Sequence, residues 1–166
     1  MRKTVVRTVL IVGEGYDEVA FLNHLKSVFH VRECGVTIKI MNARGKGAKG
    51  VVEWTARQAA IASYDKVMAM FDTDTDWNNS VAKYALDRDI ELLKSEPCFE
   101  AMLLRTLGKP ATGNAKTLKK KLSEFVSNDS TSQKNYETHF DSRRLEDSCK
   151  GEATIRRLLD IFKNQY

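Results

Sequence analysis

The chain has 166 residues, of which 42% are hydrophobic and 30% charged, and this ordinary globular balance excludes extended disorder and several full domains. It has no apolar run near the ~18 residues of a membrane span, no signal-peptide core and no paired cysteines, so we expect a cytoplasmic protein without membrane contact. The net charge of +5 comes from residues 101–166, with 13 Lys+Arg and 8 Asp+Glu, because residues 1–100 hold 14 of each.

Strands and helices alternate along the first part of the chain. Apolar or alternating runs predict strands at 7–13, 35–41, 66–71 and 90–93. Apolar residues at helical spacing predict helices at 17–29, 52–60, 78–86, 118–126 and 155–162. A further helix is expected after Ser95 as its N-cap, with Pro97 near its first turn and with Gly108 and Pro110 at its end. Segment 42–50 carries three glycines among three basic residues and is predicted to be a loop.

This order of elements predicts an α/β fold. Strand–helix alternation up to about residue 95, followed by helices alone, favours a central, mostly parallel four-stranded sheet flanked by helices. We expect a core at 1–107 and a C-terminal helical extension at 108–166 that packs on it.

Carboxylates follow two of the predicted strands at the point where each strand ends. They are Glu14 and Glu18 after the first strand, and Asp72, Asp74 and Asp76 after the third. Function in a parallel sheet gathers at the carboxyl ends of the strands. If these two strands are neighbours, the acids meet at one edge, where a divalent cation would relieve their repulsion. The pattern therefore predicts an Mg²⁺ or Mn²⁺ site.

Three familiar motifs do not fit these segments. Gly13-Glu14-Gly15 begins like a dinucleotide-binding turn, but Glu18 occupies the position of its third glycine. The basic glycine loop lacks the Gly-Lys-Ser/Thr ending of a P-loop. The three aspartates have the spacing of an EF-hand opening, but Trp77 replaces its glycine.

A phosphatase of the haloacid dehalogenase type is an alternative, since the third strand and its acids resemble the Asp-x-Asp-x-Thr motif of that family. The resemblance implies Asp72 as nucleophile and Asp74 as acid/base. Two strand–helix units precede the motif here, whereas that family begins with this strand, and Glu14 would have no role. We therefore favour a different family.

The chain resembles the Toprim domain, in which an apolar strand ending in Glu-Gly is followed by a helix, a second strand and a later strand ending in Asp-x-Asp. Segment 9–18, Val-Leu-Ile-Val-Gly-Glu-Gly-Tyr-Asp-Glu, is similar to the OLD and RloB-like nucleases. Segment 95–104, Ser-Glu-Pro-Cys-Phe-Glu-Ala-Met-Leu-Leu, is similar to the Asn-Pro-x-Phe-Glu-x-Trp-Leu-Leu stretch of RloB-like proteins. In it Glu96 and Met102 replace Asn and Trp. The resemblance covers about residues 7–107.

The resemblance implies a Toprim-like (Rossmann-like) fold and a Mg²⁺-dependent nuclease acting on DNA or RNA, in phage defence or nucleic-acid processing. In Toprim nucleases the first Glu and the Asp-x-Asp acids hold one or two metal ions, which activate water for in-line attack on phosphorus. On this chain the implied catalytic residues are Glu14, Asp72 and Asp74, with Glu14 also the candidate general base. The implied metal ligands are these three with Asp76 and Glu18, and Glu100 is an additional acid that can point back at the metal.

Basic and aromatic residues outside the acids are the candidate nucleic-acid contacts. The glycines of segment 42–50 expose backbone amides, and the basic side chains between them supply positive charge, which suits a phosphodiester backbone. The predicted nucleic-acid-binding residues are Arg44, Lys46, Lys49, Trp77, Lys119 and Lys120. The alternative interpretation of the loop and of the lysine-rich helix is a solvated surface.

A non-catalytic binding module is the alternative function. The chain would then be the nucleic-acid-binding subunit of a larger complex in which an ATPase partner does the work, since OLD-type nucleases carry an ATPase that this chain lacks. The sequence leaves open whether the substrate is DNA or RNA, how many metals bind, and whether the chain forms a homodimer.

Overall fold

A computed structural model of the chain describes residues 6–127 and 130–165. Residues 1–5 of the predicted core, and residues 128–129 and 166 of the predicted C-terminal extension, lie outside the described residues. The strands are β1 Arg7–Gly13, β2 Val36–Asn42, β3 Lys66–Asp72 and β4 Ile90–Ser95. The helices are α1 Tyr16–Phe29, α2 Gly47–Ile61, α3 Asn79–Leu86, α4 Phe99–Thr106, α5 Ala115–Leu122, α6 Ser142–Ser148 and α7 Ala153–Phe162, with a 3-10 helix at Gln133–Tyr136. Within the described ranges no helix is long and apolar enough to cross a bilayer.

The four strands form one parallel sheet in the order β2-β1-β3-β4. β1 lies between β2 and β3, and Gly13 at its end is level with Asn42 and Met70. Residues 9–12 of β1 are fully buried, as expected for a strand covered by helices on both faces. The predicted α/β fold with a parallel four-stranded sheet is therefore confirmed, and β1 and β3 are neighbours.

Two hydrophobic clusters cover the two faces of the sheet. Val9 and Ile11 belong to the larger cluster, to which α1, α4 and the helices after residue 107 contribute. Leu10 and Val12 belong to the smaller cluster, which includes side chains of α2 and α3. The C-terminal helices thus share a core with the sheet. Phe21 of α1 contacts three rings of that core, at centroid distances of 5.4 to 5.7 Å, namely Phe99, Tyr136 and Phe140.

The predicted loop at 42–50 is shorter than expected, because α2 begins at Gly47. The N-cap residue Lys46 makes no side-chain cap bond. The first amides of α2 are instead met by side chains that follow β3: Ala48 N–H donates to the hydroxyl oxygen of Thr75 at 3.5 Å, and Lys49 N–H donates to Asp76 at 3.3 Å. The helix start depends on a distant segment, so the local pattern does not reveal it.

The helix after β4 also begins later than predicted. Ser95 is the last residue of β4 and is fully buried, so the prediction that it caps this helix was wrong. α4 begins at Phe99, after Pro97, and Cys98 at its N-cap position makes no side-chain cap bond. The N–H of Phe99 donates instead to Asp72 Oδ1 at 2.8 Å. The short helix α6 and the 3-10 helix were not predicted.

Candidate metal centre

The acids that follow β1 and β3 lie together at the carboxyl edge of the sheet. Glu14 Oε2 accepts the backbone N–H of Asp72, with 2.9 Å between the two atoms. Glu18 lies in the first turn of α1, where its Oε2 accepts the N–H of Gly15 at 2.9 Å. A Cβ atom on Gly15 would lie 3.2 Å from Glu18 Oε2, so the glycine leaves room for this hydrogen bond.

Asp72 lies among four other carboxylates. Burial and these nearby negative charges raise the pKa of Asp72 to about 8. The four acids are Glu18, Glu14, Glu100 and Asp74. Burial also raises the pKa of Glu18 to about 7, and the charge of Glu14 acts in the same direction. Several carboxyl groups therefore lie close together at this edge of the sheet, where they are partly shielded from solvent.

Backbone hydrogen bonds fix the chain around Asp74. The N–H of Thr73 donates to the carbonyl oxygens of Ser95 and Pro97 at 3.1 Å, and the N–H of Asp74 donates to Pro97 at 3.0 Å. The side chain of Asp74 is exposed. The loop after β3 is thus anchored to the end of β4 while the Asp74 carboxylate faces solvent beside the buried acids.

Glu100, in the first turn of α4, lies near these acids. Glu100 is buried, and its negative charge contributes to the raised pKa of Asp72. Lys119 Nζ of α5 lies 3.8 Å from Glu100 Oε1. One lysine does not offset the repulsion, since the four neighbouring acids still raise the pKa of Asp72.

The donor set suits a hard divalent cation, although the side chains are not arranged around one. Over residues 6–127 and 130–165, no group of three or more His, Cys, Asp or Glu side chains is placed to hold a metal ion. Glu14 and Asp72 each direct one carboxylate oxygen at a backbone N–H, and each has a second oxygen. Carboxylates are the ligands that Mg²⁺ and Mn²⁺ prefer.

Comparison with known proteins gives the family. The family model described as RloB-like protein matches residues 9–163. The chain belongs to the RloB-like family. Searches of curated proteins and of solved structures return no match. The match extends beyond residue 107, where the resemblance noted in the sequence ended, so the family includes the helical C-terminal part.

The basic loop of this RloB-like chain folds back against Glu14. Gly45 has a φ of +69° and its N–H donates to the carbonyl oxygen of Glu14 at 2.6 Å. The side chains of Arg44, Lys46 and Lys49 are exposed, and Lys49 Nζ lies 3.9 Å from a carboxylate on the next turn of α2. The backbone of this segment therefore lies next to the acids, and its basic side chains are exposed.

The other predicted nucleic-acid-binding residues differ in how far they are buried. Trp77 is half-buried, with its ring 5.3 Å from that of Phe71 and the ammonium of Lys94 5.5 Å from its centroid. One part of the indole is thus packed against the protein. Lys119 and Lys120 are exposed on α5, and Lys119 borders the acids of the RloB-like site.

Backbone groups of this RloB-like site could not be foreseen from side-chain patterns. The N–H of Phe99 binds Asp72, and the carbonyl oxygen of Pro97 accepts from the loop after β3. The Pro-x-Phe-Glu segment indicated that this region contributes to the site, but it did not indicate which backbone atoms bind the acids.

Proposed function

We propose that this RloB-like chain is a Mg²⁺-dependent nuclease of the Toprim type, which hydrolyses phosphodiester bonds of DNA or RNA in phage defence or nucleic-acid processing. The observation that carries the proposal is the convergence of acids from β1 and β3 at one sheet edge, where burial and neighbouring charges raise the pKa of Asp72 to about 8. Such a cluster repels itself unless protons or a cation neutralise it, and this supports binding of a divalent metal at this edge.

The chain's own residues have distinct parts in this proposal. The residues that would hold the ion are Glu14, Glu18, Asp72 and Asp74. When bound, Mg²⁺ supplies Lewis-acid activation of water and stabilises the charge that develops on phosphate oxygens. Glu14, whose pKa burial raises, is the candidate to accept a proton from the attacking water. The backbone bonds of Asp72 hold its carboxylate at the site before substrate binds.

Positive charge on two sides of the acids supports a nucleic-acid substrate. The exposed Arg44, Lys46 and Lys49 lie on the side of α2, and Lys119 borders the acids on the side of α5. A phosphodiester backbone that contacts both groups would pass over the carboxylates. The affinity would then depend strongly on salt.

A non-catalytic nucleic-acid-binding subunit with an ATPase partner is the second candidate. The observation that favours it is that Glu14 and Asp72 already satisfy backbone N–H groups, while no metal-holding group is preformed in the described ranges. In this case the acids serve the fold, and a partner protein supplies the chemistry.

Cleavage assays with the purified chain separate these candidates. Single- and double-stranded DNA and RNA, and a small phosphomonoester, are incubated with Mg²⁺ or with EDTA. Asp74→Asn should reduce nucleic-acid cleavage by about 100-fold. The matched control is Asp87→Asn, since Asp87 is an exposed acid that pairs with Lys83 away from the site.

Each outcome of these assays decides between candidates. Cleavage that persists in EDTA or in Asp74→Asn contradicts the proposed nuclease. Activity that appears only after a partner protein is added supports the subunit. Turnover of the phosphomonoester without nucleic-acid cleavage supports the phosphatase alternative.

A further inference from the structure

The three aspartates at the end of β3 and in the loop that follows it make different contacts. Asp72 Oδ1 accepts the N–H of Phe99 at the start of α4. Asp76 Oδ1 accepts the N–H of Lys49 in the first turn of α2. Asp74, between them, is exposed as Asp76 is, but within the described residues its carboxylate accepts no N–H from a helix start. The three aspartates therefore divide into two that accept an amide at the start of a helix and one that does not.

Asp76 packs directly on the start of α2. Its Oδ1 also accepts the hydroxyl of Thr75 at 3.2 Å, and Thr75 in turn accepts the N–H of Ala48 at 3.5 Å. Gly47 has a φ of +67°, and a Cβ atom placed on it would lie only 2.8 Å from Asp76 Oδ1. The glycine thus allows the carboxylate to approach the helix, and Lys46 makes no side-chain cap bond of its own.

The start of α2 in turn contacts Glu14. A hydrogen bond from the backbone N–H of Gly47 helps to hold down the pKa of Glu14, against the stronger effect of burial. The N–H of Gly45 donates to the carbonyl oxygen of Glu14 at 2.6 Å. A displacement of the first turn of α2 would therefore move the N–H of Gly47 and disturb the adjoining Gly45, whereas the third group that contacts Glu14, the N–H of Asp72, lies on β3.

We propose that Asp76 is a positioning residue that caps α2 from another segment and thereby holds Glu14 and the basic loop in place, instead of binding metal. Its link to metal rests on the proposed function, whereas its capping role does not. An acceptor oxygen is sufficient for a cap, and Asn caps helices about as well as Asp. A metal ligand, in contrast, loses much of its affinity when its carboxylate becomes an amide.

Hydrogen exchange of the intact chain tests the capping role. The exchange rates of the amides of Ala48 and Lys49 are compared in wild type, Asp76→Ala and Asp76→Asn. We expect Asp76→Ala to raise these rates about fivefold and Asp76→Asn to stay within about twofold of wild type. Asp87→Ala is the matched control and should leave them unchanged. Unchanged rates in Asp76→Ala would overturn the inference.

Binding of Mn²⁺, followed by electron paramagnetic resonance, tests the role toward the metal. Asp76→Asn should bind Mn²⁺ within about twofold of wild type, Asp76→Ala more weakly, and Asp74→Asn at least about tenfold more weakly. Retained Mn²⁺ binding in Asp76→Asn is the result that distinguishes a positioning residue from a metal ligand. If Asp76→Asn binds as weakly as Asp74→Asn, Asp76 is a ligand and the inference is overturned.

The two measurements also separate this inference from the proposed function. If the wild-type chain binds no Mn²⁺ and cleaves no nucleic acid, the proposed function fails. The exchange rates at Ala48 and Lys49 still decide whether Asp76 caps α2.

Discussion

Glu14 Oε2 lies 2.9 Å from the backbone nitrogen of Asp72 and accepts its N–H. The bond joins the end of β1 to the end of β3, two segments that are adjacent only because these strands pair in parallel. Asp72 Oδ1 then accepts the N–H of Phe99, which extends the connection to α4. Glu14 and Asp72 are thus held in place by backbone N–H groups of two different elements, β3 and α4.

Replacement of Asp72 by Asn should stabilise the metal-free chain at alkaline pH. The pKa of Asp72 rises from its ordinary 3.8 to about 8 in the folded protein, so the folded state keeps a proton that the unfolded state releases. The corresponding stability is present below pH 3.8 and is lost as the pH rises to about 8. Asn stays neutral and still accepts the N–H of Phe99.

Urea unfolding of wild type and Asp72→Asn at several pH values measures this effect. We expect the variant to gain on the order of 2 kcal/mol over wild type between pH 5 and pH 9. His30, whose pKa burial lowers, changes the stability with pH in the opposite direction, but it is present in both proteins. A constant difference across this pH range would contradict the assignment.

Divalent cations should raise the melting temperature of the wild-type chain by binding to these acids. At a free Mg²⁺ concentration 100 times the dissociation constant, the gain is about 2.7 kcal/mol. Glu14→Gln and Asp74→Asn should lose most of this gain, and Asp87→Asn should keep it. Thermal unfolding with Mg²⁺ or EDTA gives the result, and equal gains in all four proteins would place the binding elsewhere.

Gly47→Ala should destabilise the chain more than Gly45→Ala, although the two glycines have nearly the same φ. A Cβ at Gly45 meets no atom within 4 Å, whereas a Cβ at Gly47 would lie 2.8 Å from Asp76 Oδ1. Gly45→Ala therefore costs the backbone strain alone, about 1 kcal/mol, and Gly47→Ala adds about 1 kcal/mol for the displaced cap.

Denaturant unfolding of the two glycine variants, each with and without Asp76→Ala, isolates the contact. The difference between the variants should disappear when Asp76 is absent, because the colliding oxygen is gone. A difference that persists in Asp76→Ala would mean that Gly47 is required for another reason.

Replacement of Arg44, Lys46 and Lys49 together by Gln should weaken nucleic-acid binding and reduce its salt dependence. Each phosphate contact that is lost lowers the slope of log K against log salt by roughly 0.7 to 0.9. Binding is measured in EDTA to prevent cleavage, and Lys83→Gln, which removes a paired lysine on α3, is the control. An unchanged slope would show that this loop is solvated and does not contact the substrate.

The strands and the acids were predictable because their signals are local. Residues 9–12 form an uninterrupted apolar run that is fully buried, and acids directly after such a run must lie at a sheet edge. The pairing of β1 with β3 was not predictable from the run itself, since the crossover connections decide which strands are neighbours. The sequence argument therefore had to assume this adjacency before it could place Glu14 beside Asp72.

The starts of α2 and α4 were predicted less well for a common physical reason. The local sequence offers Lys46 and Cys98 at the two N-cap positions, and neither forms a side-chain cap bond. Asp76 and Asp72 supply the acceptors from the loop and strand end of β3. Capping between distant segments leaves no local pattern, so Ser95 was mistaken for a cap and the first turn of α2 for a loop.

The most direct test of the central claim is a crystal structure of the wild-type chain with Mn²⁺, using anomalous scattering to locate the metal. We expect Mn²⁺ bound by carboxylate oxygens of Glu14, Asp72 and Asp74, with Asp76 still at the start of α2. An acidic edge without Mn²⁺ at a saturating concentration, or Mn²⁺ bound only at other acids, would contradict a metal centre at this edge of the sheet.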